Sequence, residues 1–305
     1  MTRSRHWVKS PWPSNLNKKP GKKVLRHFGI IAASALLLLG CDSGDRAVVA
    51  ADTTLKLYVF DCGKIRLSSI ASFSIDDSEI DIRDLAVPCY VIEHPKGRLL
   101  WDGGLSSTYA DTQGWQGEGS LLRLDRTLSD QFDDIGFNMG SFDYIAFSHS
   151  HFDHIGVANE LQGGRLLIQQ AEYDAAFADE VTLPATNPSL YVNLKNAPRT
   201  MLEGDHDVFG DGRVMILSAP GHTPGHQVLY VNLANHGPVV LSGDLYHFRF
   251  SRENRRIPTF NVDTDTSAMS IDKIEAFLAE SQAELWIQHD LERFERQRKS
   301  PAFYD

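Results

Sequence analysis

Ser148-His149-Ser150-His151-Phe152-Asp153-His154 follows the apolar run Tyr144-Ile145-Ala146-Phe147 and precedes Ile155-Gly156. The apolar run reads as the end of a buried strand over residues 142–147, which puts the polar stretch at the strand's mouth. Three imidazoles and a carboxylate fall within the six residues from His149 to His154. Borderline divalent metals take imidazole nitrogen and carboxylate oxygen, so one such loop can face two metals. His149 and His151 point toward one position. Asp153 and His154, a turn further on, point toward a second, about 3.5 to 4 Å away as in two-metal hydrolases. Clustered imidazoles after a buried strand have no packing motive of their own.

Working outward, three more strand-end stretches carry chemistry of the same kind. They are Ala219-Pro220-Gly221-His222-Thr223-Pro224-Gly225-His226, Leu241-Ser242-Gly243-Asp244 and Trp286-Ile287-Gln288-His289-Asp290. Ligands set at strand ends are held by the sheet beneath them while the loops vary. His226 reads as a supporting residue, and His94, His206 and His236 as ordinary surface histidines.

The 305 residues are 42% hydrophobic and 10% aromatic, enough for the core of one large α/β domain. Of 30 basic side chains, eight lie in the first 40 residues with no acidic one beside them; 22 remain against 40 acidic ones, a net charge of −18. So acidic a body argues against nucleic acid as a partner, because phosphates need Lys and Arg. A neutral or cationic small molecule fits better.

Residues 1–40 read as a signal segment: basic up to Arg26, then apolar from Ile30 to Leu39, too short to span a bilayer comfortably. Leu38-Leu39-Gly40-Cys41 resembles the lipobox of bacterial lipoproteins, which implies acylation of Cys41, export, and a lipid anchor on the periplasmic face as the sole membrane contact. Residues 41–54 then form a tether and 55–305 the folded domain. Cys62 and Cys89, at the ends of expected strands over 55–60 and 87–92, either form a disulfide or pack as free thiols.

Further strands are expected over 98–102, 213–218, 227–232, 238–242 and 284–287, with a hairpin around Pro95-Lys96-Gly97. Helices are expected over 171–179 and 267–281, the latter with Ile271, Ile274 and Leu278 on one face. Antiparallel strands followed by strands mixed with helices argue for two sheets sandwiched between helices rather than a doubly wound sheet. Residues 103–141 and 180–200 fit no strand, yet hold Trp115, Leu121, Leu122, Phe132, Phe137, Leu190, Tyr191 and Leu194. They read either as loops packing on their own core or as a lid or homodimer surface that walls an apolar pocket.

The ordered metal motifs resemble those of the metallo-β-lactamase superfamily over most of residues 55–290. The resemblance implies an αββα sandwich, α/β in class, and a ligand for every motif. His149, His151 and His222 would hold one ion, Asp153, His154 and His289 a second, with Asp244 bridging. Asp102, in Leu100-Trp101-Asp102-Gly103-Gly104, matches the superfamily's early structural aspartate. His151, His154 and Asp244 separate the chain from flavodiiron proteins and true β-lactamases; what remains resembles the N-acyl-homoserine lactonases. That implies a lactone substrate opened by metal-activated water, with Asp153 as proton shuttle. Better-known members place a substrate-facing tyrosine three residues after the bridging aspartate; here His247 stands there and the tyrosine is Tyr246, so either is a candidate donor. Trp115, Phe152, Leu190 and Tyr191 are candidates to bury an acyl tail. Zinc is the expected metal at both positions, with cobalt, manganese and iron also compatible. Other esterases, thioesterases and phosphodiesterases on the same scaffold would keep every ligand.

Overall fold

The computed structural model describes residues 54–110 and 114–305. The signal segment, Cys41 and residues 41–53 of the tether lie outside the described residues. Among those described, no helix is long and apolar enough to cross a membrane.

The chain builds one sheet and then a second. β1 (Lys56–Arg66), β2 (Asp84–His94), β3 (Gly97–Trp101), β4 (Leu121–Arg123), β5 (Tyr144–Ala146), β6 (Arg165–Gln169) and β7 (Arg199–Leu202) belong to the first. β8 (His206–Asp207), β9 (Val214–Ser218), β10 (Gln227–Leu233), β11 (Gly237–Leu241) and β12 (Glu284–Trp286) form the second, and β13 (Phe303–Tyr304) returns to pair with β1. β1, β2 and β3 are antiparallel, whereas β3, β5, β6 and β7 run parallel. The helices are α1 (Leu128–Asp133), α2 (Gln170–Ala176), α3 (Arg249–Glu253), α4 (Thr264–Ser281) and α5 (Leu291–Arg296).

Two-residue alternation explains the layers. On β2, Ala86, Tyr90 and Ile92 join a core with Val214, Ile216, Leu229, Val231, Val239 and Leu241 of the other sheet, so that core lies between the sheets. The alternate residues Leu85, Val87, Cys89 and Val91 face an outer core with Phe132 of α1 and Ala176 of α2. Val228, Val240 and Leu285 face Ile271, Ile274 and Leu278 of α4. Strands buried on both faces read as continuous apolar runs, as residues 238–241 do. The result is the expected αββα sandwich.

Several boundaries differ from expectation for identifiable reasons. β1 runs past Phe60 to Arg66 because a bulge lets it bend: Asp61 pairs with Pro88 and Lys64 with Ala86, so Cys62 and Gly63 together oppose Val87. Pro88 sits at this irregularity, where a missing N–H does least harm. Residues 103–141 do contain a strand, β4, and a helix, α1, capped by Thr127 Oγ1 accepting from the Asp130 N–H at 3.1 Å. Phe132, Phe137, Leu122 and Leu194 lie in the outer core, which supports the reading of these segments as packing on their own core. β6 and β7 are too short to show a period, and only their parallel pairing with β5 defines them.

Cys62 and Cys89 are joined, with Cα atoms 5.8 Å apart. The bridge is buried behind Gly104, whose φ is +62° and where a Cβ would fall 3.0 Å from the Cys89 sulfur. A crosslink over 27 residues of sequence should stabilise by roughly 3 kcal/mol in the chain-entropy account. The double substitution Cys62→Ser, Cys89→Ser should therefore lower the thermal midpoint by roughly 6–12 °C at this domain size. An unchanged midpoint in calorimetry would remove the bridge's structural role.

Candidate metal centre

Every expected ligand leaves the end of a strand at one edge of the sandwich. β5 leads into the His149–His154 loop, β9 into His222, β11 into Asp244 and β12 into His289. The sheets are tied there by the Gln227 N–H, which donates to the Ser148 carbonyl at 2.9 Å, and by Gln227 Nε2, which donates to the Phe147 carbonyl at 2.9 Å. Gly243 is required beside Asp244, because its φ is +46° and a Cβ would lie 2.7 Å from both His226 Nε2 and Ser148 Cβ.

The side chains converge in two groups. His222 Nε2 is 3.2 Å from His149 Nε2 and 3.1 Å from His151 Nδ1, and Asp244 Oδ2 is 3.1 Å from His222 Nε2. Asp244 turns its other oxygen to the second group: Oδ1 is 3.2 Å from His154 Nε2 and 3.0 Å from His289 Nε2. Asp153 Oδ2 stands 3.7 Å from each of those nitrogens. All seven side chains are buried.

These atoms fit metal ions better than they fit one another. His154 Nε2 and Asp244 Oδ1 are close, yet neither has a hydrogen-bond partner, so they aim at a common point rather than along a shared bond. A tetrahedron with bonds of about 2.0–2.1 Å has edges of about 3.3 Å, close to the nitrogen separations here. The outer nitrogens are already committed. His154 Nδ1 is 3.1 Å from Asp102 Oδ2, His222 Nδ1 2.9 Å from Asn261 Oδ1, and His289 Nδ1 2.7 Å from the Ala86 carbonyl. Those acceptors hold the protons outside and turn the Nε2 lone pairs inward.

Electrostatics agree with this arrangement. Burial, aided by the neighbouring histidines, drives His149 and His151 well below the ordinary imidazole range, so both stay neutral with lone pairs free. Burial also pulls His226 to about 3; its Nε2 accepts the Asp244 N–H at 2.9 Å while Nδ1 faces the Ala219 carbonyl. In the second group burial again opposes charge, but Asp244, Asp153 and Asp102 outweigh it and raise His154 well above its usual value. His289 rises against burial through Asp244 and Asp153. Asp244 stays ionised because His247, His154, His289 and His149 overcome its own burial. The second group therefore draws in positive charge, which a divalent cation supplies.

The remaining candidates divide. His247 is in the centre: its Nε2 is 2.9 Å from Asp244 Oδ2, and its ring stacks at 13° on His289. Burial lowers its pKa despite Asp244, which favours the neutral ring. Tyr246 points away, with its hydroxyl 3.0 Å from Glu275 Oε1, so it is not placed to donate to a substrate at the metals. Consecutive residues in the extended conformation face opposite sides, and Tyr246 has φ −144° and ψ 138°. Tyr191 is also displaced from its expected role: it is 1% exposed, packed on Phe177, and separated from solvent. Phe152 and Leu190 line a cleft of about 330 Å³ with Tyr109 and Ala185. The Trp115 ring lies 4.3 Å from the Arg66 guanidinium; Arg66, His247 and His289 line a cleft of about 470 Å³, which Trp115 itself does not line. His94 is buried rather than on the surface, stacked on Phe209 with Nε2 3.0 Å from Asp211.

The sequence reading missed Asn261, Gln288 and Glu172. Gln288 Nε2 donates to Asp102 Oδ2 at 3.0 Å, and Asp102 also accepts the Ser148 N–H at 2.6 Å. Asp102 holds a left-handed φ of 60°, a strained conformation of the kind found at functional sites. Adjacency to His289 could have flagged Gln288; nothing local marks Asn261 or Glu172.

Comparison with known proteins agrees with the geometry. The metallo-beta-lactamase superfamily profile matches residues 82–280. N-acyl homoserine lactonase AttM of Rhizobium radiobacter is 27% identical over 265 residues, 83% of this chain and 99% of that one. An N-acyl homoserine lactonase of a Bacillus species is 30% identical over 249 residues, 79% of this chain and 95% of its own. A solved N-acyl homoserine lactone hydrolase, with the product N-hexanoyl-L-homoserine bound at its catalytic metal center, superposes with a TM-score of 0.69 at 25% identity, covering 82% of this chain and 99% of that one. With its two ligand groups sharing Asp244 at the edge of an αββα sandwich, this chain belongs to the metallo-beta-lactamase superfamily.

Proposed function

We propose that this protein is a two-metal hydrolase that opens the ring of N-acyl-homoserine lactones. The observation that carries the reading is Asp244, which offers one oxygen to each ligand group beside a cleft of about 470 Å³. The lactonases among its relatives supply the substrate class. Five imidazoles and two carboxylates without a thiolate favour zinc at both positions.

When bound, the two ions supply Lewis acidity and a water acidic enough to ionise near neutral pH. The protein's own groups do the rest. The Asp153 side chain is 9% exposed against 4% for Asp244, so of the two ligand carboxylates it reaches substrate more readily, and we assign it the proton delivered to the departing ring oxygen. We assign to His247, which lines the cleft and whose Nε2–H faces Asp244 Oδ2 at 2.9 Å until metal ions take up that oxygen, the hydrogen bond that orients the lactone carbonyl. Ile82, Phe248, Leu291 and the stems of Arg66 and Arg249 give the cleft an apolar wall for the acyl tail. Its guanidiniums are matched: Arg66 by Asp84, Arg83 by Asp77 and Arg249 by Asp290. Beyond the two ions, the cleft therefore offers an anionic substrate no unmatched arginine.

We further propose export and lipid anchoring through Cys41. The Cys62–Cys89 bridge supports an oxidising compartment.

Purified protein should open acyl-homoserine lactones, measured by proton release. kcat/KM should rise with tail length by at most roughly fourfold per methylene, from ~0.8 kcal/mol each. Efficient turnover of bis-p-nitrophenyl phosphate or a simple nitrophenyl ester, with no lactone opened, would replace the lactonase reading by a generic hydrolase. Among variants, His247→Phe should lower kcat/KM for the lactone by roughly 100- to 1000-fold, in the range of a lost hydrogen-bond donor to a reacting carbonyl. Tyr246→Phe should stay within about twofold of wild type and lose about 1 kcal/mol of stability with its hydrogen bond. The reverse pattern would return the donor to Tyr246.

A further inference from the structure

Glu172 is 2% exposed in the first turn of α2, and no reacting group requires it there. A buried carboxylate is costly unless its oxygens are fully used, and these are. Oε1 accepts from the Ser150 N–H at 2.9 Å and from Ser150 Oγ at 2.7 Å. Oε2 accepts from Thr223 Oγ1 at 2.7 Å and from the Gly225 N–H at 2.9 Å. A Cβ on Gly225 would fall 2.5 Å from the Glu172 backbone nitrogen, so the approach depends on glycine.

The four donors have a common relation to the metal centre. Ser150 separates His149 from His151, and Thr223 follows His222. One side chain thus ties together the two segments that carry the three-histidine group. The second group is held by other means, His154 by Asp102 and His289 by the Ala86 carbonyl. Three imidazole rings whose nitrogens crowd within 3.1–3.2 Å of one another in a buried site are held there by the fold rather than by mutual attraction. Charge-assisted hydrogen bonds from both segments to one fixed carboxylate enforce it before any cation arrives.

We propose that Glu172 is a positioning residue that sets the cation affinity of the three-histidine half and not that of the half formed by Asp153, His154 and His289. The proposal rests on the two-metal reading of the site and not on the identity of the substrate. Glu172→Gln tests it because an amide has one accepting oxygen. Whichever way the amide turns, its NH₂ faces the N–H of Ser150 or Gly225, and that donor loses its acceptor.

The experiment measures Co²⁺ affinity against a chromophoric chelator in proteins restricted to one half of the site. His289→Ala leaves the three-histidine half, and His222→Ala the other. Adding Glu172→Gln should weaken Co²⁺ by roughly 10- to 100-fold in the His289→Ala protein, the usual effect of an outer hydrogen-bond partner. It should leave the His222→Ala protein within about twofold. Equal weakening in both, or in neither, overturns the proposal, since a merely structural brace would lower the thermal midpoint without discriminating between halves. Should Glu172→Gln not fold, Thr223→Val removes one of the four donors; weakening confined to the His289→Ala protein supports the proposal and unchanged affinity there overturns it. A wild-type stoichiometry below two Co²⁺ would overturn it through the two-metal reading, whereas failure to open lactones would leave these affinities as they are.

Discussion

The Asp244 carboxylate is the constraint around which this end of the molecule is built. Its oxygens are buried among His149, His154, His222, His247 and His289, and each faces a different ligand group. A carboxylate so placed must remain charged, and its surroundings must supply positive charge. The second group does so: Asp244 itself, with Asp153 and Asp102 close by, raises His154 against its own burial. In the first group His149 and His151 stay neutral and offer lone pairs. One shared side chain therefore sits between two halves of different electrostatic character; Glu172 ties the segments of the first, while Asp102 reaches both, through His154 and through the Ser148 N–H beside His149.

The sandwich explains why such precision is available. Ligands from β5, β9, β11 and β12 meet because both sheets end at the same edge, and Gln227 ties the last residues of one to the other. Between the sheets, Tyr90, Trp101 and Trp286 are essentially inaccessible, so the floor of the site cannot easily move. The surrounding loops are less enclosed, with Trp115, Phe152 and Leu190 partly exposed.

Most of this was legible in the sequence where chemistry or period was local. The His149–His154 loop, the Pro-Gly-His and Gly-Asp motifs and His289 each stand out beside an apolar run, and residues 227–232 and 238–241 show their strands directly. What was hidden depends on contacts distant in sequence. β6 and β7 are defined by parallel neighbours rather than by alternation. Glu172 looks like any acidic residue at the start of a helix until Ser150 and Thr223 fold onto it. Tyr246 and His247 illustrate the same limit. Both carry a donor after Asp244, and only the backbone direction decides that the imidazole turns inward and the phenol toward Glu275. Tyr191 misled because an aromatic side chain in a segment without strands looks like a pocket wall, whereas it is enclosed by Phe177 and the end of α2.

The central claim, that one carboxylate joins two metal positions, is tested most directly by anomalous diffraction from crystals of the protein purified without added metal. The account predicts two peaks about 3.5–4 Å apart, one among His149, His151 and His222 and the other among Asp153, His154 and His289, with Asp244 between them. A single peak, or two peaks of which only one adjoins Asp244, would contradict it.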